Sequence, residues 1–160
     1  RGLAAVLPVA AWFLYVRWVF PPLAASDAAN FAPPFSGYVT KWSVTIGQLQ
    51  SSGWFGSWAR FNLAALIAVT VQAGYLLTRR DWSSPWWRAG APYGLLMPLL
   101  SYPVWEGDPG AIMRVVLPMT VAFNVLVMRS RFFWPLVIAG NLTVFHGLHM
   151  INVPWVATLF

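Results

Sequence analysis

The chain has 160 residues, of which 59% are hydrophobic, 17% aromatic and only 9% charged, whereas soluble domains carry about 25% charged residues. So few charges cannot cover a soluble surface, and the net charge of +6 comes without a basic patch interleaved with stacking aromatics, which argues against a nucleic-acid partner. There is no cysteine, so disulfides, thiolate chemistry and cysteine-ligated metal centres are excluded.

The apolar residues come in runs close to the length that crosses a hydrocarbon core of roughly 30 Å. Lipid offers no partners to backbone N–H and C=O groups, so the expected form is helical, and the alternating ten-residue pattern of a membrane barrel is absent. The expectation is an all-α integral membrane protein with about five transmembrane helices, forming a single domain over 1–160. The first span, 2–23, ends at Pro21-Pro22, which cannot continue a helix. An outward interfacial segment, 24–58, follows. It contains "FAPPFSGY" and "QSSGWFGSW", and a short helix is expected over 39–49 with Trp42 and Ile46 on one side. The second span is 59–77. The third, 89–105, is short and carries Pro92, Pro98 and Pro103. The fourth is 111–128 and the fifth 132–153. Arg1 stands where a Met would begin a chain and leads directly into an apolar span, so a piece of a longer chain is expected.

Lys and Arg in short loops set orientation. Arg79, Arg80 and Arg88 follow the second span, and Arg129 and Arg131 follow the fourth. Both loops are therefore expected on the cytoplasmic side, together with the N-terminus, in what would be a bacterial inner membrane. Residues 24–58 and 106–110 then face outward.

This topology gathers Arg17, Arg60, Glu106, Asp108 and Arg114 near one interface. Ionisable residues in membrane segments are functional by default, and the guanidinium fork matches phosphate oxygens bidentately. The five residues are therefore candidates for a rim that binds a lipid-linked phosphate or other substrate. The plainer alternative is that the arginines snorkel to the headgroups and the two carboxylates cap the fourth helix. Arg114, Pro118, Val121 and Val125 fall on one helical face, and Pro118 is expected to bend that helix.

The stretch "WEGDPGAIMRVVLPMTVAFNVLVMRS", with Trp105-Glu106, Arg114, Leu117-Pro118 and Asn124, resembles the late spans of bacterial polytopic proteins of cell-surface glycopolymer formation. These look like GT-C-type membrane glycosyltransferases. "WFLYVRW" and "NFAPPFSGY" resemble the same region. The resemblance implies transfer of a sugar from a polyprenyl-phosphate carrier on the outer face. It also implies a catalytic carboxylate in a first outward loop, upstream of this chain, so no catalytic residue is assigned here. The competing expectation is a non-catalytic transmembrane accessory subunit of a larger photosynthetic or respiratory complex, with other transmembrane subunits as its partners.

His146 and His149 lie three apart on the fifth span and share a face. They are candidate ligands of haem or chlorophyll, against the alternative of polar contacts between helices. Otherwise no cofactor is evident and no metal site is expected. Asn62, Gln72, Asn124 and Asn141 are read as interhelical hydrogen-bonding residues.

Overall fold

The computed structural model describes residues 30–56, 59–106 and 111–144, together with positions 11, 14, 15, 18 and 19; the side chains of 52–56 lie outside the description. Among the described residues the fold is all-helical, with one isolated backbone bridge between Phe31 and Leu100. The helices are α1 (Ser36–Gly56), α2 (Ala59–Arg79), α3 (Pro85–Leu96), α4 (Tyr102–Trp105), α5 (Ile112–Val115), α6 (Leu117–Val127) and α7 (Phe133–Gly140), with a 3-10 turn at Met97–Leu99.

Helix α2 is the centre of the bundle and packs against α1, α3, α6 and α7. It is rich in Ala, Leu and Val, and its buried residues Asn62, Leu66, Val69, Ala73 and Leu76 recur at spacings of three and four, which is the period of one helical face. Arg79 occupies its last turn, where a cation complements the helix dipole. Arg80 then turns left-handed with φ 47°, the conformation that commonly ends a helix. The 21 residues of α2 span about 31 Å at 1.5 Å per residue. Among the described residues it is the one helix long and apolar enough to cross a membrane; α6 is apolar but shorter.

The third and fourth apolar runs are interrupted. Ser84 caps α3, its hydroxyl accepting from Trp87 N–H at 3.4 Å, and Pro85 begins the helix, where its missing N–H costs nothing. Pro92, Pro98 and Pro103 each remove a backbone donor, and the run breaks into α3, the 3-10 turn and α4. The fourth run breaks at Val116 (φ −91°, ψ 10°) into α5 and α6. Pro118 therefore sits in the first turn of a new helix instead of bending a continuous one. The fifth run is helical over Phe133–Gly140 and turns at Asn141; residues 145–153 lie outside the described residues. The 24–58 segment also differs from expectation, with a helix of 21 residues where about eleven were anticipated.

The core gathers Leu76, Trp87, Met119, Phe123, Leu126 and Val127, all within a few per cent of full burial. Gly90 lets α3 approach α6 closely: a Cβ there would overlap the Ala122 Cβ. Polar residues stitch the helices. Buried Gln72 donates from Nε2 to the Gly140 carbonyl at 2.6 Å and accepts from the Thr120 hydroxyl at 2.8 Å, tying α2 to α6 and α7. Asn124 and Asn141 exchange hydrogen bonds of 3.1 and 2.9 Å. The Trp87 indole donates to the Leu76 carbonyl at 2.7 Å, and the Tyr75 hydroxyl donates to the Leu126 carbonyl at 2.9 Å. Gln72, Asn124 and Asn141 thus do what their polarity in apolar runs predicts.

Gln72→Leu keeps the volume but leaves the Gly140 carbonyl and Thr120 hydroxyl to find other partners. An unsatisfied buried polar group costs about 1–3 kcal/mol, so a loss of about 2 kcal/mol is expected in reversible unfolding of the detergent-solubilised chain. A variant as stable as the wild type would show that the Gln72 bridge contributes nothing net.

Candidate functional site: a buried lysine pocket

The segment entering α1 is pinned to the chain just before α4. Ala32 N–H bonds the Leu99 carbonyl at 3.0 Å, Phe35 N–H the Pro98 carbonyl at 2.6 Å, and Ser101 N–H the Asn30 carbonyl at 2.9 Å. Phe35 adopts φ 66°, a left-handed conformation that reverses the chain into α1. Gly37 then lies flat against the backbone of Leu100 and Ser101, where a Cβ would clash. Further along α1, Tyr38 stacks edge-on against Trp105, with ring centroids 5.4 Å apart. The Tyr38 hydroxyl bonds Thr70 Oγ1 at 2.7 Å. The Thr70 hydroxyl proton already goes to the Leu66 carbonyl, so Tyr38 is the donor.

These contacts bury one face of α1 at four-residue spacing: Gly37, Lys41 and Thr45. Of the two residues expected on one side of this helix, Ile46 is 46% exposed and Trp42 is half-buried. Lys41, the sole lysine of the chain, is 4% exposed. It lines a narrow pocket with Asn62, Leu66, Trp105, Ile112 and Met113 that has no room for a free water molecule. Two donors beside Lys41 are buried without acceptors. Trp105 is 1% exposed and its Nε1–H has no partner among the described residues; Thr45, one turn after Lys41, is fully buried and its hydroxyl likewise has none among them. Such orphaned groups are rare in folded proteins and call for a specific explanation.

The pocket also relates the expected rim residues to one another. Asn62 follows Arg60 by two positions, Trp105 immediately precedes Glu106, and Met113 immediately precedes Arg114, and all three line the same pocket. The rim residues themselves are less buried. Arg60 is partly buried, with its guanidinium 4.9 Å from the Phe61 ring centroid and its Nε–H unpartnered. Glu106 ends α4 and is exposed, as is Arg114 in α5. Neither forms an ion pair among the described residues. Glu106 is the C-cap residue of α4, and no side-chain hydrogen bond caps α5 at Ala111. Arg17, Asp108, His146 and His149 lie outside the described residues. No cluster of three metal-ligating side chains occurs among the described residues.

Lys41 was not a candidate on sequence grounds. Two signals could have raised it: it is the only lysine, and it recurs with Gly37 and Thr45 at the spacing of a helical face. Comparison with family models, with curated proteins and with solved structures gave no match.

Proposed function

We propose that this chain belongs to an integral membrane protein whose outward end binds the phosphate of a polyprenyl-phosphate-linked sugar, in the manner of GT-C-type glycosyltransferases. The carrying observation is the burial of Lys41 beside the orphaned Trp105 and Thr45 donors, with the neighbours of Arg60, Glu106 and Arg114 around it. An ammonium group is costly to bury, and a lysine kept inside an apolar bundle is a functional-site hypothesis. Its chemistry suits phosphate: three donors on a flexible stem supply a point charge, and the Trp105 indole N–H on the same pocket adds a directed hydrogen bond.

The membrane part of the proposal is supported by the distribution of polarity. On α1, Val39, Val44 and Ile46 are exposed while Lys41 and Thr45 are buried. On α2, Asn62 and Gln72 are buried. Leu117, Val121, Trp134 and Ile138 of α6 and α7 are 45–70% exposed. Apolar groups facing out with polar groups facing in suits lipid surroundings, since lipid solvates the former and cannot satisfy the latter.

The pocket is too narrow for a free water molecule, so ligand oxygens reach it when its flexible walls move. These are the four-carbon stem of Lys41 and the thioether of Met113, an adaptable side chain. Exposed Arg114, next to Met113, and Arg60 then meet the ligand at the entrance. In this scheme the described residues bind and orient the carrier phosphate, and no bond-making step is assigned to them.

The test is thermal stabilisation of the detergent-purified chain by a polyprenyl phosphate against the matching neutral polyprenol. The phosphate is expected to raise the melting temperature well beyond the alcohol, because a ligand that binds only the folded state stabilises by mass action. Equal shifts would sink the proposal, as would no shift from either; co-purification of a stoichiometric subunit together with no lipid effect would favour the accessory-subunit alternative.

A further inference from the structure

At the arginine-rich end, the loop between α2 and α3 meets the end of α6 around an open polar cavity of about 430 Å³. Asp81, Ser83 and Ser84 line one side and Arg129 the other, with Trp86 and Leu126 supplying apolar wall. Asp81 and Arg129 are opposite charges facing one cavity, yet they form no ion pair with each other or with any described residue. Asp81 accepts only the Ser83 hydroxyl, at 2.7 Å on Oδ1. Among the described residues, Arg129 makes no side-chain hydrogen bond, and the Ser84 hydroxyl accepts from Trp87 N–H without donating.

We infer that this cavity binds a phosphoethanolamine group, the headgroup of a zwitterionic phospholipid. The phosphate takes the Arg129 guanidinium, whose planar donors fit its oxygens, and the Ser84 hydroxyl. The positive end of α3, a helix of 12 residues beginning at this wall, adds favourable potential. The primary ammonium takes the free oxygen of Asp81. A lone Arg would suit any phosphate, and the carboxylate narrows the choice. It repels an anionic headgroup such as phosphatidylglycerol, and a quaternary ammonium has no proton to donate to it. Trp86 and Leu126 line the side where the glycerol and first acyl carbons would leave the cavity. The exposed rings of Trp82 and Trp86 suit the headgroup level of a bilayer. The inference shares the membrane assignment with the proposed function but does not involve the Lys41 pocket.

The experiment measures lipid retention on the detergent-purified chain by native mass spectrometry, with phosphatidylethanolamine, phosphatidylglycerol and phosphatidylcholine of identical acyl chains. Glycerophosphoethanolamine serves as a soluble competitor. Phosphatidylethanolamine is expected to bind at least about tenfold more tightly than the other two, the scale of one hydrogen bond to a charged group. Arg129→Gln should weaken all three lipids, and Asp81→Asn should reverse the order in favour of phosphatidylglycerol. Both residues sit in surface loops, and circular dichroism checks that the variants stay folded. Arg131→Gln, on the same loop but outside the cavity, should leave the order intact. Competition by glycerophosphoethanolamine at equal concentration would identify a soluble source of the group, and its failure would identify the lipid. Equal binding of the three lipids, or an unchanged order in Asp81→Asn, would overturn the inference.

Discussion

Gly90→Leu is expected to destabilise the chain by about 3 kcal/mol, at the upper end of the usual cost of overpacking a core. A side chain at position 90 meets the Ala122 Cβ at overlap distance, the Leu76 Cδ1 at 3.2 Å and the Met119 Cα at 3.5 Å. Ala122 and Met119 are fully buried, and their Cβ and Cα atoms move only with the α6 backbone, so α3 and α6 must separate. Among the described helices that interface is the most extensive. Helix propensity works the other way, since replacing Gly inside a helix gains about 1 kcal/mol; the clash must exceed that gain. Gly74 is the control, with nothing within 4 Å of a Cβ built there, so Gly74→Ala should be neutral or stabilising by up to about 1 kcal/mol. Gly90→Ala is also expected to destabilise, and adding Ala122→Gly should recover most of the loss, because residues in direct contact couple. Reversible unfolding in detergent decides it. A stable Gly90→Leu variant, or a double variant no better than the single, would refute the close approach.

Lys41→Gln should lower affinity for a polyprenyl phosphate by about tenfold to a hundredfold, the equivalent of the 1.5–3 kcal/mol carried by a hydrogen bond to a charged group. Gln fills similar space and can still donate, so the loss reports the charge. Arg114→Gln should cost less than about fivefold, because an exposed charge interacts weakly across water. The neutral polyprenol separates binding from folding: its affinity should be the same in Lys41→Gln and wild type. Equal loss for phosphate and alcohol would mean that Lys41 holds the structure together without recognising phosphate. Retained phosphate affinity in Lys41→Gln with loss in Arg114→Gln would return the site to the exposed rim.

The all-helical character and the second apolar run were legible because their causes are local. The boundaries expected for the second span, 59–77, lie close to those of α2 because an apolar run bounded by arginines needs no partner to be recognised. Gln72, Asn124 and Asn141 were legible as interhelical residues because a side-chain amide in an apolar run needs a partner wherever the helix packs. The prolines signalled trouble in the third span, but not how it would resolve. The break into α3, a 3-10 turn and α4 depends on the partners that Leu99, Pro98 and Asn30 offer across the fold. The break at Val116 was missed for a related reason: a proline at 118 permits a bend or a fresh helix start, and packing selects between them.

The composition of this chain, with few charges, no cysteine and long apolar runs broken by arginine-rich loops, pointed to a helical fold. It also determined which residues share a helical face, since that follows from periodicity alone. Only the tertiary structure decided which face turns inward. Hydrophobicity marks the inside of a protein in water, but in the lipid surroundings proposed above an apolar bundle and lipid accept the same side chains, so Ile46 gains little by facing the core. Lys41 and Thr45 are buried because Gly37 lets α1 lie against the chain at Leu100 and Ser101, more than sixty residues on in sequence. That contact turns a single lysine in an interfacial segment into the wall of a pocket shared with Asn62, Trp105 and Met113.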